Sequence, residues 1–135
     1  MFKELFLLTL FAYLCQDSNA YLQVKGKDLI FNGKKIFLSG ANIPWIGYDY
    51  DWGNGMYWQH RTKMNELLSM LSSNGGNCAR VWVHFAGHTS PDIDSNGFVI
   101  GTDKQKDLIK ELQAFLDDAE KHNVLIILCL FHSEY

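Results

Sequence analysis

Val124-Leu125-Ile126-Ile127-Leu128-Cys129-Leu130-Phe131 is apolar at every position. A strand half exposed to water alternates apolar and polar residues, whereas a parallel strand covered on both faces reads as one continuous run. Two earlier segments have the same character: Lys35-Ile36-Phe37-Leu38-Ser39-Gly40 and Ala79-Arg80-Val81-Trp82-Val83-His84-Phe85. Between the three lie two helical patterns. One spans about Trp58 to Ser73, with Met64, Leu67, Leu68 and Leu71 on one stripe, and Asn74-Gly75-Gly76 ends it. The other starts with Thr102 or Asp103 as N-cap, buries Leu108, Leu112, Phe115, Leu116 and Ala119, and ends at His122-Asn123. Strand, helix, strand, helix, strand implies βαβ units and a parallel sheet, hence an α/β fold.

Working outward, Tyr21–Val24 and Asp28–Phe31 form a short hairpin, and Asn32-Gly33 is a turn signal leading into the first strand. Strands begin near 36, 79 and 124. That spacing exceeds the roughly 31 residues per unit expected of a (β/α)8 barrel. The excess lies in Asn42–Met56 and Ala86–Gly101. Both loops follow strand C-terminal ends, the face on which such barrels hold their active sites. Three strands do not close a barrel, and the third is left as an apolar edge. The chain of 135 residues is therefore read as cut short. An open doubly wound sheet, the other fold this order allows, also needs more elements.

Further upstream, Leu5–Leu14 is nearly all apolar and Ser18-Asn19-Ala20 places small residues before a cut. This is the order of a secretory signal peptide over residues 1–20, with an N-terminal anchoring or buried helix as the other reading. Secretion to the extracellular space and no membrane contact after signal removal are the expectations. Residues 21–135 then form one incomplete catalytic domain. The 12 basic and 15 acidic residues include no basic run, which argues against nucleic acid as a partner. Cys78 and Cys129 sit at opposite ends of neighbouring strands, so a disulfide between them is not expected.

Loop one, Gly40 to Gly55, gathers Trp45, Tyr48, Tyr50 and Trp52 with Asp49 and Asp51. Aromatic faces suit the C–H faces of sugars, and carboxylates suit their hydroxyls. Covering the barrel rim is the plainer role for any one of these rings. Arg80 is a charge in an otherwise apolar strand, which calls for a carboxylate partner, either at a site or in a structural ion pair. His84, His88 and His132 stand at or beyond strand ends without the spacing of a metal motif. No nucleophile elbow, phosphate loop or dinucleotide fingerprint appears. No cofactor and no metal are expected.

The stretches LSGANIPWIGYDYDWGNG, NCARVWVHFAGHTSPDIDSNGFV and FLDDAEKHNVLIILCLF resemble glycoside hydrolase family 5, and within it the endo-β-1,4-mannanases of molluscs and other invertebrates. The likeness runs from about Tyr21 to Phe131. It implies the N-terminal portion of a (β/α)8 barrel and a retaining endo-hydrolase acting on β-mannan through two glutamates, an acid/base and a nucleophile. In that family the glutamates follow the fourth and seventh strands, which this chain does not contain. Arg80 matches the family's supporting arginine on strand two. Trp45 and Trp82 match aromatics around the cleft, and Tyr48, Trp52, His84 and His132 join them as substrate-binding candidates. His132-Ser133-Glu134-Tyr135 departs from the family pattern, since Glu134 follows the third strand and no Asn precedes it. The alternatives are a truncated, inactive secreted product that binds glycan, and a cellulase-like β-glucanase of the same family.

Overall fold

The computed structural model describes residues 22–84 and 87–131. The expected signal peptide at 1–20, together with Tyr21, Phe85 and His132, lies outside them. The chain divides into two compact units, with the boundary between Phe37 and Leu38.

In the first unit, β1 (Gln23–Lys25), β2 (Asp28–Phe31) and β3 (Lys34–Ile36) form an antiparallel sheet in that order. Asn32 and Gly33 both have positive φ, 51° and 71°, as a two-residue hairpin turn of the type I′ kind requires. Lys35 Nζ lies 2.7 Å from Asp28 Oδ1 across the pair β2–β3. The expectation of a parallel strand at Lys35–Gly40 is corrected here. The Asn-Gly turn folds Lys34–Ile36 straight back onto β2, with Ile36 opposite Leu29.

In the second unit the parallel sheet runs β4 (Gly40–Asn42), β5 (Cys78–Trp82) and β8 (Leu125–Cys129), in that order. Gly40 pairs with Cys78, and a Cβ on Gly40 would lie 1.6 Å from the Cys78 carbonyl oxygen. Only glycine permits that approach, so the sheet's first strand starts there. Helix α1 (Met56–Ser73) links β4 to β5, and α2 (Leu108–Lys121) links β5 to β8. Residues of loop two form a small antiparallel ribbon, β6 (Asp92–Ile93) with β7 (Val99–Gly101).

The core lies between sheet and helices: Ala79, Val81 and Val83 on β5 and just beyond it, Tyr57, Met64 and Leu68 on α1, Leu108, Phe115 and Ala119 on α2. Helix α1 ends as its sequence predicts. Gly75 takes a left-handed φ of 83°, and Gly76 N donates to Leu71 O. Helix α2 starts later than Thr102 or Asp103. Asp103 is drawn inward, where it accepts hydrogen bonds from Asn54 N, Asp107 N and Leu108 N. Lys106 then has φ 59°, which no α-helix passes through, so regular turns begin only beyond it. The N-cap is an acid, Asp107, four residues beyond Asp103.

The buried stripe of α2 is also rotated from the expected one. Leu116 is 42% exposed, while Glu111 and Asp118 are buried. Both acids are held by donors on α1 or just before it: Glu111 Oε2 accepts from Gly53 N at 2.5 Å. Asp118 takes two bonds from Arg61 and one each from the Tyr57 hydroxyl and Asn65 Nδ2. Register sets Cys78 against Leu125 and Cys129 against Trp82. Four residues of strand between the two thiols correspond to about 13 Å, beyond the reach of a disulfide.

Candidate functional site

Along β5 alternate residues divide between two faces. Ala79, Val81 and Val83 pack against the helices, while Arg80 and Trp82 point from the opposite face of the sheet. Asn42 is the register partner of Arg80 on one side and Ile127 on the other. A groove of about 250 Å³ on that face is lined by Leu38, Gly40, Asn42, Cys78, Arg80 and Ile127.

Arg80 reaches toward the C-terminal ends of the strands. Its guanidinium lies 5.2 Å from the Trp82 ring centroid, and Nη2 donates to Cys129 Sγ at 3.2 Å. Among the described residues no carboxylate pairs with it. The expected acidic partner is thus not supplied by the described residues. The cationic head rests on an indole face and a thiol, both soft acceptors.

Beyond the strand ends, Trp45 meets Trp82 at 4.9 Å and Tyr48 at 4.7 Å between ring centroids. The turn carrying them is built by Asp51, whose two oxygens accept from Ile46 N and Gly47 N at 2.6 and 2.8 Å. Tyr48 and Asp49 then take consecutive positive φ values of 34° and 62°, and Tyr48 stands out half-exposed. Three of the candidate residues, Trp45, Tyr48 and Trp82, are therefore brought together next to Arg80.

Trp52 lines a small cavity with Trp45 and Trp82 but is itself buried. It is 2% exposed, stacked on Tyr57 at 5.4 Å and edge-on to Phe115 at 5.0 Å. Gly53, with φ 83°, tethers the following backbone to Glu111 and turns the ring under the helices. Trp52 is thus part of the hydrophobic core in this structure. His84 is buried, its Nδ1 3.0 Å from Ser90 Oγ and its ring stacked on Phe131. Burial pushes its pKa down, the nearby Asp49 charge opposing in part, so the ring is held neutral in the wall of the site.

Loop two adds a feature that its sequence did not signal. His88 Nδ1 forms a short hydrogen bond with Asp49 Oδ2, and the His88 ring stacks on Tyr50 at 5.4 Å and 19°. Thr89 Oγ1 donates to Asp49 O, and Asn54 Nδ2 donates to Thr89 O. The two long loops are thereby laced together. Spacing in the sequence does not reveal a pair 39 residues apart. Glu111 was missed for the same reason. Its pKa is raised by burial, with the Asp103 charge adding and the Gly53 amide opposing. It serves the N-terminal side of α1, away from the sheet's open face.

No set of three His, Cys, Asp or Glu among the described residues could hold a metal ion. Nor is any described helix long and apolar enough to cross a membrane.

No family model matches the chain. A mannan endo-1,4-β-mannosidase of Cryptopygus antarcticus is 41% identical over 127 residues, which are 94% of this chain and 33% of that protein. The enzyme of the same name from Mytilus edulis is 41% identical over 128 residues, 93% of this chain and 34% of its own. In structure, the β-1,4-mannanase of the sea hare Aplysia kurodai superposes with a TM-score of 0.80 at 36% identity, over 82% of this chain and 32% of that one. The chain thus spans about a third of the length of the relatives it matches. Its three parallel strands with two crossover helices are the N-terminal portion of their (β/α)8 barrel. Over the stretch it spans, the chain is similar in sequence and in backbone fold to invertebrate β-mannanases.

Proposed function

We propose that this chain forms the arginine-and-aromatic side of the cleft of an enzyme that cuts β-1,4-mannosidic bonds within mannan by a retaining, two-glutamate reaction. The observation that carries the reading is the grouping of Arg80, Trp82, Trp45 and Tyr48 at the strand C-terminal ends, in a chain 41% identical to named mannanases. In such a reaction two carboxyls about 5–5.5 Å apart flank the scissile bond, one protonating the leaving oxygen and the other attacking the sugar. Arg80 supplies a permanent positive charge on the face where the attacking carboxylate must be kept ionised. Trp45, Trp82 and Tyr48 supply apolar faces for the sugar rings.

The glutamates themselves are not among the described residues in usable positions. Glu66 and Glu120 are exposed on the helices, and Glu111 is buried among backbone donors. We therefore expect no hydrolysis of galactomannan by this 135-residue chain alone, measured as reducing ends released. Turnover by the purified chain would sink the two-glutamate assignment. In an enzyme whose barrel is complete, Arg80→Ala should lower turnover by about 100-fold or more, the scale of losing one preorganised electrostatic group. Near-normal turnover would make Arg80 structural. Galactomannan against carboxymethylcellulose separates mannanase from glucanase. The order of apolar and small residues at 1–20 supports a secreted product, and a mature N-terminus at Tyr21 in culture medium would test that.

A further inference from the structure

We propose that His88 is a sugar-contact residue, forming with Tyr50 a subsite for one neutral hexopyranose unit at the seam of the two loops. The inference rests on the reading of this face as a glycan cleft. Asp49 is the starting point. Its side chain is 1% exposed while that of His88 is 51% exposed, and Asp49 Oδ2 accepts from both the backbone N and the ring Nδ1 of His88. Withdrawing a carboxylate from water is costly. Joining the loops does not require it, since neutral bonds already do so: Thr89 Oγ1 to Asp49 O at 3.0 Å, and Asn54 Nδ2 to Thr89 O at 2.9 Å.

What the carboxylate adds is orientation of a ring that remains open to solvent. A carboxylate only accepts, so Nδ1 carries the proton, and in the uncharged tautomer this leaves Nε2 as an acceptor. Tyr50, 45% exposed, covers one face of the imidazole at 19° between planes. The site thus offers a flat aromatic surface beside one acceptor of fixed direction. A pyranose presents the matching pair, a C–H face and a hydroxyl donor. Both are groups that a neutral sugar presents, so the unit bound is an uncharged one.

The test is a titration of the isotope-labelled protein with mannohexaose, following His88 ring nitrogens and the indole N–H signals of Trp45 and Trp82. The expected result is a saturable shift at His88 Nε2. His88→Phe, which keeps a ring against Tyr50, should bind about tenfold more weakly, the scale of one oriented hydrogen bond. Asp49→Asn should mix the two ring tautomers and weaken binding severalfold. Shifts at Trp45 and Trp82 with His88 unmoved would overturn the subsite and leave the cleft reading standing. An absence of shifts anywhere would overturn both.

Discussion

The helix layer and the strand-end loops both bury carboxylates, and they use them in opposite ways. Between α1 and α2, Asp118 is surrounded by donors from Tyr57, Arg61, Asn65 and Lys121, which hold its carboxyl far below the usual carboxylate range, Arg61 foremost. Four side chains share this one carboxylate, two of them, Arg61 and Lys121, reaching solvent. At the loops, Asp49 is as deeply buried but bonds to a histidine that stays half in solvent. A carboxylate saturated by four side chains that clamp two helices marks a structural charge, while one paired with a single exposed ring marks a surface built to meet something.

The comparison can be broken in order of effect. Asp118→Ala strands the buried Tyr57 hydroxyl and unties Arg61 and Lys121, which can turn to solvent, and should cost about 3 kcal/mol, the scale of a buried polar group left unpaired. A denaturant midpoint close to wild type would show that the network contributes little. Trp52→Ala should cost a similar amount, about 3–5 kcal/mol, with no effect on glycan affinity beyond that of unfolding. Trp45→Ala should reverse the balance, losing about 1–2 kcal/mol of stability and most of the glycan binding. Were Trp52 to govern affinity instead, its assignment to the core would fail.

A smaller effect is expected from pH. His84 has a folded pKa below its ordinary 6.5 because of burial. Its contribution is therefore complete above that value and is lost as pH falls through it toward the lower folded one. Glu111 acts in the other direction, since a raised folded pKa favours the fold at low pH and weakens it as pH rises above the ordinary 4.5. The measurement is the melting temperature of wild type against His84→Gln between about pH 5 and 7, where the two curves should converge toward acid. Parallel curves would place the imidazole outside the folding equilibrium. Asp118 enters only further down, its stabilisation lost as pH falls below the ordinary 3.8. Least of all, Lys63→Ala should change stability by no more than about 0.5 kcal/mol, since its pair with Glu66 is exposed.

Much of this architecture was legible in the chain, and particular residues show why. The apolar run at Val124–Phe131 and the stripe through Met64 and Leu68 carry periodicities that only a covered sheet and an amphipathic helix satisfy. Arg80 stood out because a charge inside such a strand needs a reason. The errors came where a local signal had two outlets. Lys34–Ile36 suits a hairpin or a parallel strand equally well, and the Asn32-Gly33 turn chose the hairpin. Asp103 suits an N-cap, but Asn54, far away in sequence, drew it inward before the helix began.

The sequence by itself determined the alternation of strand and helix, the long loops at strand C-terminal ends, and the face of β5 on which Arg80 and Trp82 project. Those follow from side-chain period and backbone propensity, which act over a few residues. Only the tertiary structure decided that Trp52 lies inside while Trp45 stays at the cleft, that Glu111 and Asp118 face inward in place of Leu116, and that Asp49 aims His88. Each depends on partners tens of residues apart, 58 between Gly53 and Glu111 and 39 between Asp49 and His88. Whether a buried polar group is tolerated is settled by the donors that folding brings to it.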